Sequence, residues 1–164
     1  MCGGVEYKAP NPKSGKIEHR RTYFPIPYAK LPVIGTKGAA LVTWGKRKGE
    51  YPDLDIPLGG WARLDSLEAG RWDRFVPQHV VIPVRQFMEK NRQGSSQWFL
   101  LEAAQVLRGI GIRAGGTGFV YVVTVPGDDS YERMPYPLHL NRAKEWGNFI
   151  WPEKLPWLDQ GFSD

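Results

Sequence analysis

A single cysteine stands in the 164-residue chain, which excludes an internal disulfide and a cysteine-based metal cluster. Histidine is equally scarce: His19, His79 and His139 are scattered, with none of the i,i+4 spacing that suits zinc. No apolar run approaches the roughly 20 residues of a membrane span, and the opening residues through Lys8 hold no signal-peptide core. No G-x-S-x-G elbow, P-loop or H-E-x-x-H motif is present. These absences predict a cytoplasmic, reduced protein with no metal, no cofactor and no membrane partner, in which Cys2 persists as a free thiol.

What is present is apolar and aromatic. Hydrophobic residues make up 41% of the chain, so the composition is that of a folded domain rather than a disordered one. The length suits one domain over residues 1–164. Seven tryptophans predict a core of large side chains, with some rings left exposed for stacking on bases or a partner. The net charge of +5 is compatible with phosphate binding and equally with mere solubility.

Residues 8–30 carry Lys, Arg and Pro with little periodicity and read as an extended basic arm or loop. Ala39–Trp44 reads as a strand stopped by Gly45, Lys46–Glu50 as a solvated charged turn, and Tyr51–Gly60 as loop. Further strands are expected at Val80–Pro83, Trp98–Leu101, Val106–Ile112 and Phe119–Val125. The near-unbroken Val and Tyr of the last predict burial on both faces. Gly115–Gly118 is a turn before it. Short helices are expected over Leu67–Phe75 and over Arg142–Trp146, the second capped by Asn141. A Pro-containing tail from Trp151 onward is expected to pack over the surface. The sum is an α+β, β-rich fold: barrel-like packed antiparallel sheets with a few short helices.

Cys2 is the first candidate for chemistry. Removal of Met1 would leave a 1,2-aminothiol whose amine titrates near ~7.8 and thiol near ~8.5, so both nucleophiles are partly available at neutral pH. An aldehyde would condense with the amine, and the thiol would close on the imine to a thiazolidine. Gly3 and Gly4 place no side chain over the terminus, leaving room for a bulky substrate. A lone cysteine at position two can equally be incidental. Glu89, after Phe87 and Met88, reads either as a carboxyl in a partly apolar pocket, suited to proton transfer, or as a solvated strand end beside Lys90. Arg63 and Arg133 read either as forks for phosphate or carboxylate, or as surface ion-pair members.

Taken together and in order, these positions resemble the SRAP family (SOS response-associated peptidase). Met1-Cys2-Gly3 matches the family's opening. Tyr23-Phe24-Pro25 and Pro32-Val33 match its aromatic-and-proline segment, and Trp44-Gly45 its Trp-Gly after a strand. Trp61-Ala62-Arg63-Leu64-Asp65-Ser66 aligns with its Asn-Ala-Arg-x-Glu-Thr motif. Ile82-Pro83-Val84-Arg85-Gln86-Phe87-Met88-Glu89-Lys90 aligns with Ile-Pro-Ala-x-x-Phe-x-Glu-Trp. Val122-Val123-Thr124 and Tyr131-Glu132-Arg133-Met134-Pro135 align with a strand ending in Thr and then His-Asp-Arg-Met-Pro.

The resemblance implies a positively charged cleft for single-stranded DNA and covalent capture of abasic sites through Cys2. Glu89 would assist imine formation and Arg63 would contact phosphate. Arg85, Arg133 and Tyr23, with Lys46, Arg47 and Lys48 at the rim, would complete the DNA contacts. DNA as partner in turn implies association with the nucleoid. Trp44 is expected in the core, and Tyr23 or Trp61 as stacking rings. Three positions depart from the family: Trp61 replaces the Asn that helps position the N-terminal Cys, Tyr131 replaces the proton-transferring His, and Gly4 stands where Arg is common. Two alternatives stay open: a DNA-binding module of the same fold that has lost turnover, and an N-terminal-Cys thiol hydrolase or peptidase.

Overall fold

The structure is a computed structural model and describes residues 2–153. In chain order its strands are β1 (Cys2–Pro10), β2 (Ile17–Tyr23), β3 (Lys30–Gly35), β4 (Gly38–Trp44), β5 (Trp61–Arg63), β6 (Gln78–Ile82), β7 (Gln86–Lys90), β8 (Ser96–Leu100), β9 (Gln105–Ala114), β10 (Thr117–Pro126), β11 (Arg133–Pro135) and β12 (Pro137–His139). One short α-helix, α1 (Leu64–Glu68), follows β5, a single 3₁₀ turn occupies Asp73–Phe75, and a six-residue 3₁₀ helix spans Leu140–Glu145.

The Val/Tyr run of β10 organises the molecule. Its side chains alternate between two clusters: Val120 and Val122 enter one, Phe119, Tyr121 and Val123 the other, all fully buried. Burial on both faces lets β10 serve as the seam of a barrel. It pairs antiparallel with β9 and parallel with β4, and β4–β3, β3–β6 and β6–β9 complete the ring of five. A two-residue turn closes the β9–β10 hairpin, with Gly115 and Gly116 both at positive φ (56° and 78°), the conformation that matches strand twist.

A second sheet, in the order β2-β1-β7-β8, lies against this barrel. Val5, Tyr7, Ala9 and Phe87 share a cluster with Leu31, Val33, Ile82 and Val120 of the barrel strands. The other face of β9 and β10 is covered by Ile56, Trp72 and α1, and Leu138 and Ala143 cover β3 and β6.

The β-rich, barrel-containing architecture matches the sequence, and the five expected strands appear as β4, β6, β8, β9 and β10 of the twelve. Four expectations do not hold. Residues 8–30 are no loose arm: β1 runs to Pro10 and turns into β2. The turn is held by Asn11, whose Oδ1 accepts from Lys13 and Ser14 N–H at 2.8 and 3.1 Å. The expected helix over Leu67–Phe75 is divided, because Gly70 takes φ +78° between α1 and the 3₁₀ turn. The second cap is His139, whose ring nitrogen accepts from the Asn141 N–H. The sheets are also not purely antiparallel: β10 runs parallel to β4 and to β5. Trp151 packs edge-on against Phe149 at 5.7 Å, and the tail beyond residue 153 lies outside the described residues.

Candidate active site

Strand β1 is the middle of the site, and a bulge sets its register. Val5 faces Phe87 and Gly4 faces Met88, but the next pairing is Cys2 with Glu89. One extra residue, Gly3, is accommodated without a partner of its own. Bulges of this kind re-aim a strand end, and here the result is that Cys2 stands across the ladder from Glu89.

Glu89 is wholly buried. It follows Phe87 by two residues and so belongs to the same face of β7, the one turned toward the barrel. Of the two readings, the solvated strand end is therefore excluded. Lys90, the next residue, is exposed. A wholly buried carboxyl at the ladder position opposite Cys2 is what marks this place as a candidate site.

On the far side of Glu89, the cross-strand partner on β8 is Gln97. The Tyr131 hydroxyl donates to Gln97 Oε1 at 2.9 Å, and its ring meets Phe99 edge-on at 5.3 Å. The loop carrying Tyr131 is fixed by Asp128, whose Oδ1 accepts from Ser130 and Tyr131 N–H at 2.7 and 3.1 Å. Cys2, Glu89, Gln97 and Tyr131 thus lie in one row across three strands and a loop.

The aromatic wall on the other side comes from Phe24, whose N–H donates to Gly3 O at 3.0 Å. Phe24 touches Trp61 at 4.8 Å and Trp44 at 5.5 Å between ring centroids. Trp44 is fully buried, as expected, and donates from its indole N–H to Gly60 O at 3.0 Å. Gly60 is obligatory there: a Cβ would lie 2.5 Å from the Trp44 Nε1 and 2.6 Å from Phe24. Trp61 is half-buried and lines a cleft of about 680 Å³. Arg63, Lys90, Arg92 and Arg133 bring four cations to that cleft against the one carboxylate of Glu132. The basic cleft therefore begins one residue from Glu89 and one aromatic ring from the start of β1.

Other expected contacts fall elsewhere. Arg63 makes a bidentate pair with Asp65 at 3.1 and 2.9 Å, and that guanidinium holds the Asp65 carboxyl down at about 2. It is a surface ion-pair member that still lines the cleft. Arg133 is no surface fork. It is buried, donating from Nη2 to Thr124 O at 2.7 Å, and desolvation, followed by repulsion from Arg63, lowers its pKa. It forms the cleft floor.

Arg47 is likewise not a rim residue. Its Nη1 donates to Glu50 at 2.8 Å, its Nη2 to Trp44 O at 2.8 Å and its Nε to Phe24 O, while its plane covers the Phe24 ring. Within the charged turn Arg47 and Glu50 form a buried clamp, while the tip at Lys48 and Gly49 is solvated as expected. Lys46 donates to Leu54 O at 2.7 Å and pairs through its backbone with Gly59 at the cleft edge; Lys48 is exposed.

Arg85 lies 3.8 Å from Glu6 on the outer face of the second sheet. Tyr23 is on that face too, edge-on to Trp98 at 6.2 Å. Its ring covers Gly4, where a Cβ would come within 2.9 Å of it, so the space expected above Gly4 is already filled. Lys90 and Arg92 were not legible as cleft residues: Lys90 stands where the aligned motif has Trp, and Arg92 lies outside every motif. Among the described residues no group of three or more His, Cys, Asp or Glu is placed to hold a metal, and no helix is long and apolar enough to cross a membrane.

Compared with protein-family models, curated proteins and solved structures, the chain matches none significantly.

Proposed function

We propose that this chain is a divergent SRAP-type protein that captures abasic sites in single-stranded DNA as a covalent adduct on Cys2. The observation that carries the reading is the bulged register that sets Cys2 opposite a fully buried carboxyl, beside a cleft with four cations. The ring-opened abasic sugar presents an aldehyde. After Met1 is removed hydrolytically, the neutral Cys2 amine adds to the aldehyde carbon. The carbinolamine then loses water to give the imine, with a proton delivered to the departing hydroxyl by Glu89. The thiol adds to the imine carbon, the nitrogen takes up the proton, and a thiazolidine ring results. No oxidant or reductant is consumed.

Intact-mass spectrometry tests this directly. The purified protein should lack Met1. Incubation with an abasic oligonucleotide should add the oligonucleotide mass less one water. Quantitative retention of Met1, or no adduct with the processed protein, would sink the reading.

The binding-module alternative has its own support. Trp61 packs at a tilt against Phe24, and the Tyr131 hydroxyl is engaged with Gln97, so both substituted positions make structural contacts. Either reading requires the cleft to hold phosphates. Affinity for single-stranded DNA should fall with salt at a log–log slope of about −0.7 per phosphate contacted. Replacing Lys90 by Ala should make that slope shallower by about 0.7 if it contacts one phosphate. Salt-independent binding would count against both.

A further inference from the structure

The barrel has a second opening. At the end of β10 away from Thr124, a cavity of about 550 Å³ opens between the β3–β4 hairpin, the 3₁₀ turn at Asp73–Phe75 and the start of β10. A closed barrel of five strands is too narrow for a lumen, so this space needs a local cause. The cause is small residues on the inward face: Ala40, Gly111 and Gly118 stand where larger side chains would fill the mouth. A Cβ built at Gly111 or Gly118 would meet its nearest neighbour only at 3.6 or 3.7 Å, an ordinary contact. Neither glycine has a positive φ, so neither is required by its backbone.

The floor is apolar, with Val33, Val80 and Val120 at its base. The rim is cationic: Lys37, Arg74 and Arg113 face the single carboxylate of Asp55. Arg74 is paired with Asp55 at 3.3 Å, which leaves the charge excess with Lys37 and Arg113. At the lip stands Val76, a β-branched residue at φ 52° and 76% exposed. A strained backbone that holds an apolar side chain at a cavity mouth is a feature found at ligand clamps.

We propose that this mouth binds a small apolar molecule carrying one anionic head group, its body against Val42 and Val80 and its head between Lys37 and Arg113. Barrel mouths of this size, apolar with a few convergent polar groups, are a recurrent kind of ligand site. Along β10, the residues lining this mouth and the cleft are separated by Tyr121–Val123, so the proposal stands independently of the Cys2 chemistry.

Calorimetric titration of the full chain with octanoate, octyl phosphate, octanol and octylammonium tests it. An eight-carbon anion should bind one to one, about tenfold or more tighter than octylammonium, because charge-assisted contacts favour the anion. Whichever of octanoate and octyl phosphate binds tighter identifies the head group. Lys37→Ala combined with Arg113→Ala should reduce the anion to the affinity of octanol. Gly111→Ala combined with Gly118→Ala should weaken all apolar ligands while leaving the thermal midpoint unchanged or raised. The proposal is overturned if no eight-carbon anion binds, if all four ligands bind alike, or if the glycine variants bind as well as wild type.

Discussion

Glu89→Gln should slow adduct formation with an abasic oligonucleotide by about 10²-fold or more, the usual contribution of a positioned general acid–base group. Gln keeps the shape of the side chain but removes the titratable proton. Dehydration of the carbinolamine then lacks the proton donor that the buried carboxyl supplies. Binding of the oligonucleotide, followed by fluorescence anisotropy, should be unchanged, which separates loss of chemistry from loss of the cleft. Cys2→Ala should yield no adduct that survives a denaturing gel, since an imine without sulfur cannot close into a ring and hydrolyses. A Glu89→Gln protein that reacts at the wild-type rate would remove Glu89 from the mechanism.

The second large effect is on stability. Glu50 and Arg47 form a pair with side chains only 7% and 10% exposed. The Glu50 carboxylate also accepts from the Tyr28 and Arg47 N–H groups at 2.7 and 3.1 Å. Tyr28 sits at φ 55°, so the same carboxylate secures a strained turn. Glu50→Ala leaves the Arg47 charge enclosed without its counter-ion, a loss of about 3–5 kcal/mol for a buried pair broken from one side. Urea denaturation at pH 7 measures it.

The pH dependence has a definite sign. Desolvation pushes the Glu50 pKa up, but the hydrogen bonds from Tyr28 and Arg47 outweigh it and the net shift is downward from 4.5. A folded-state pKa below the unfolded one contributes stability that is present above pH 4.5 and lost as pH falls through the folded value. Wild type should therefore lose stability in that acid range more steeply than Glu50→Gln. Equal slopes would show that the carboxylate contributes nothing there.

Four of the five barrel strands, β4, β6, β9 and β10, were legible from their apolar runs, whereas β3 was not read as a strand. The Val/Tyr succession of β10 admits no solvent-facing side, and Trp44 follows a clean strand pattern. β1 was half hidden for the opposite reason: Glu6 and Lys8 are buried polar residues. Glu6 is held by Arg21 at 3.1 Å and Gln86 at 3.0 Å, and no periodicity rule anticipates a polar face covered by its neighbours' side chains. The same limit concealed the Arg47 clamp, where a charge run reads as solvated until the fold closes over it. Cys2 and Glu89 were legible as residues and as reaction partners by resemblance, but not as neighbours across a strand ladder. Their pairing depends on the bulge at Gly3, and a one-residue shift in register leaves no trace in composition or spacing.

The placement of β1 also has a consequence in time. Its partners are β2, completed by residue 23, and β7, which begins at Gln86. At synthesis rates of roughly 5–20 residues per second, the chain up to Gln86 takes roughly 4–17 s to make. For that interval the terminus has no strand on the Glu89 side. In the proposed mechanism, processing would then precede the pairing of β1 with β7, and Glu89 would be brought across from an amine freed beforehand.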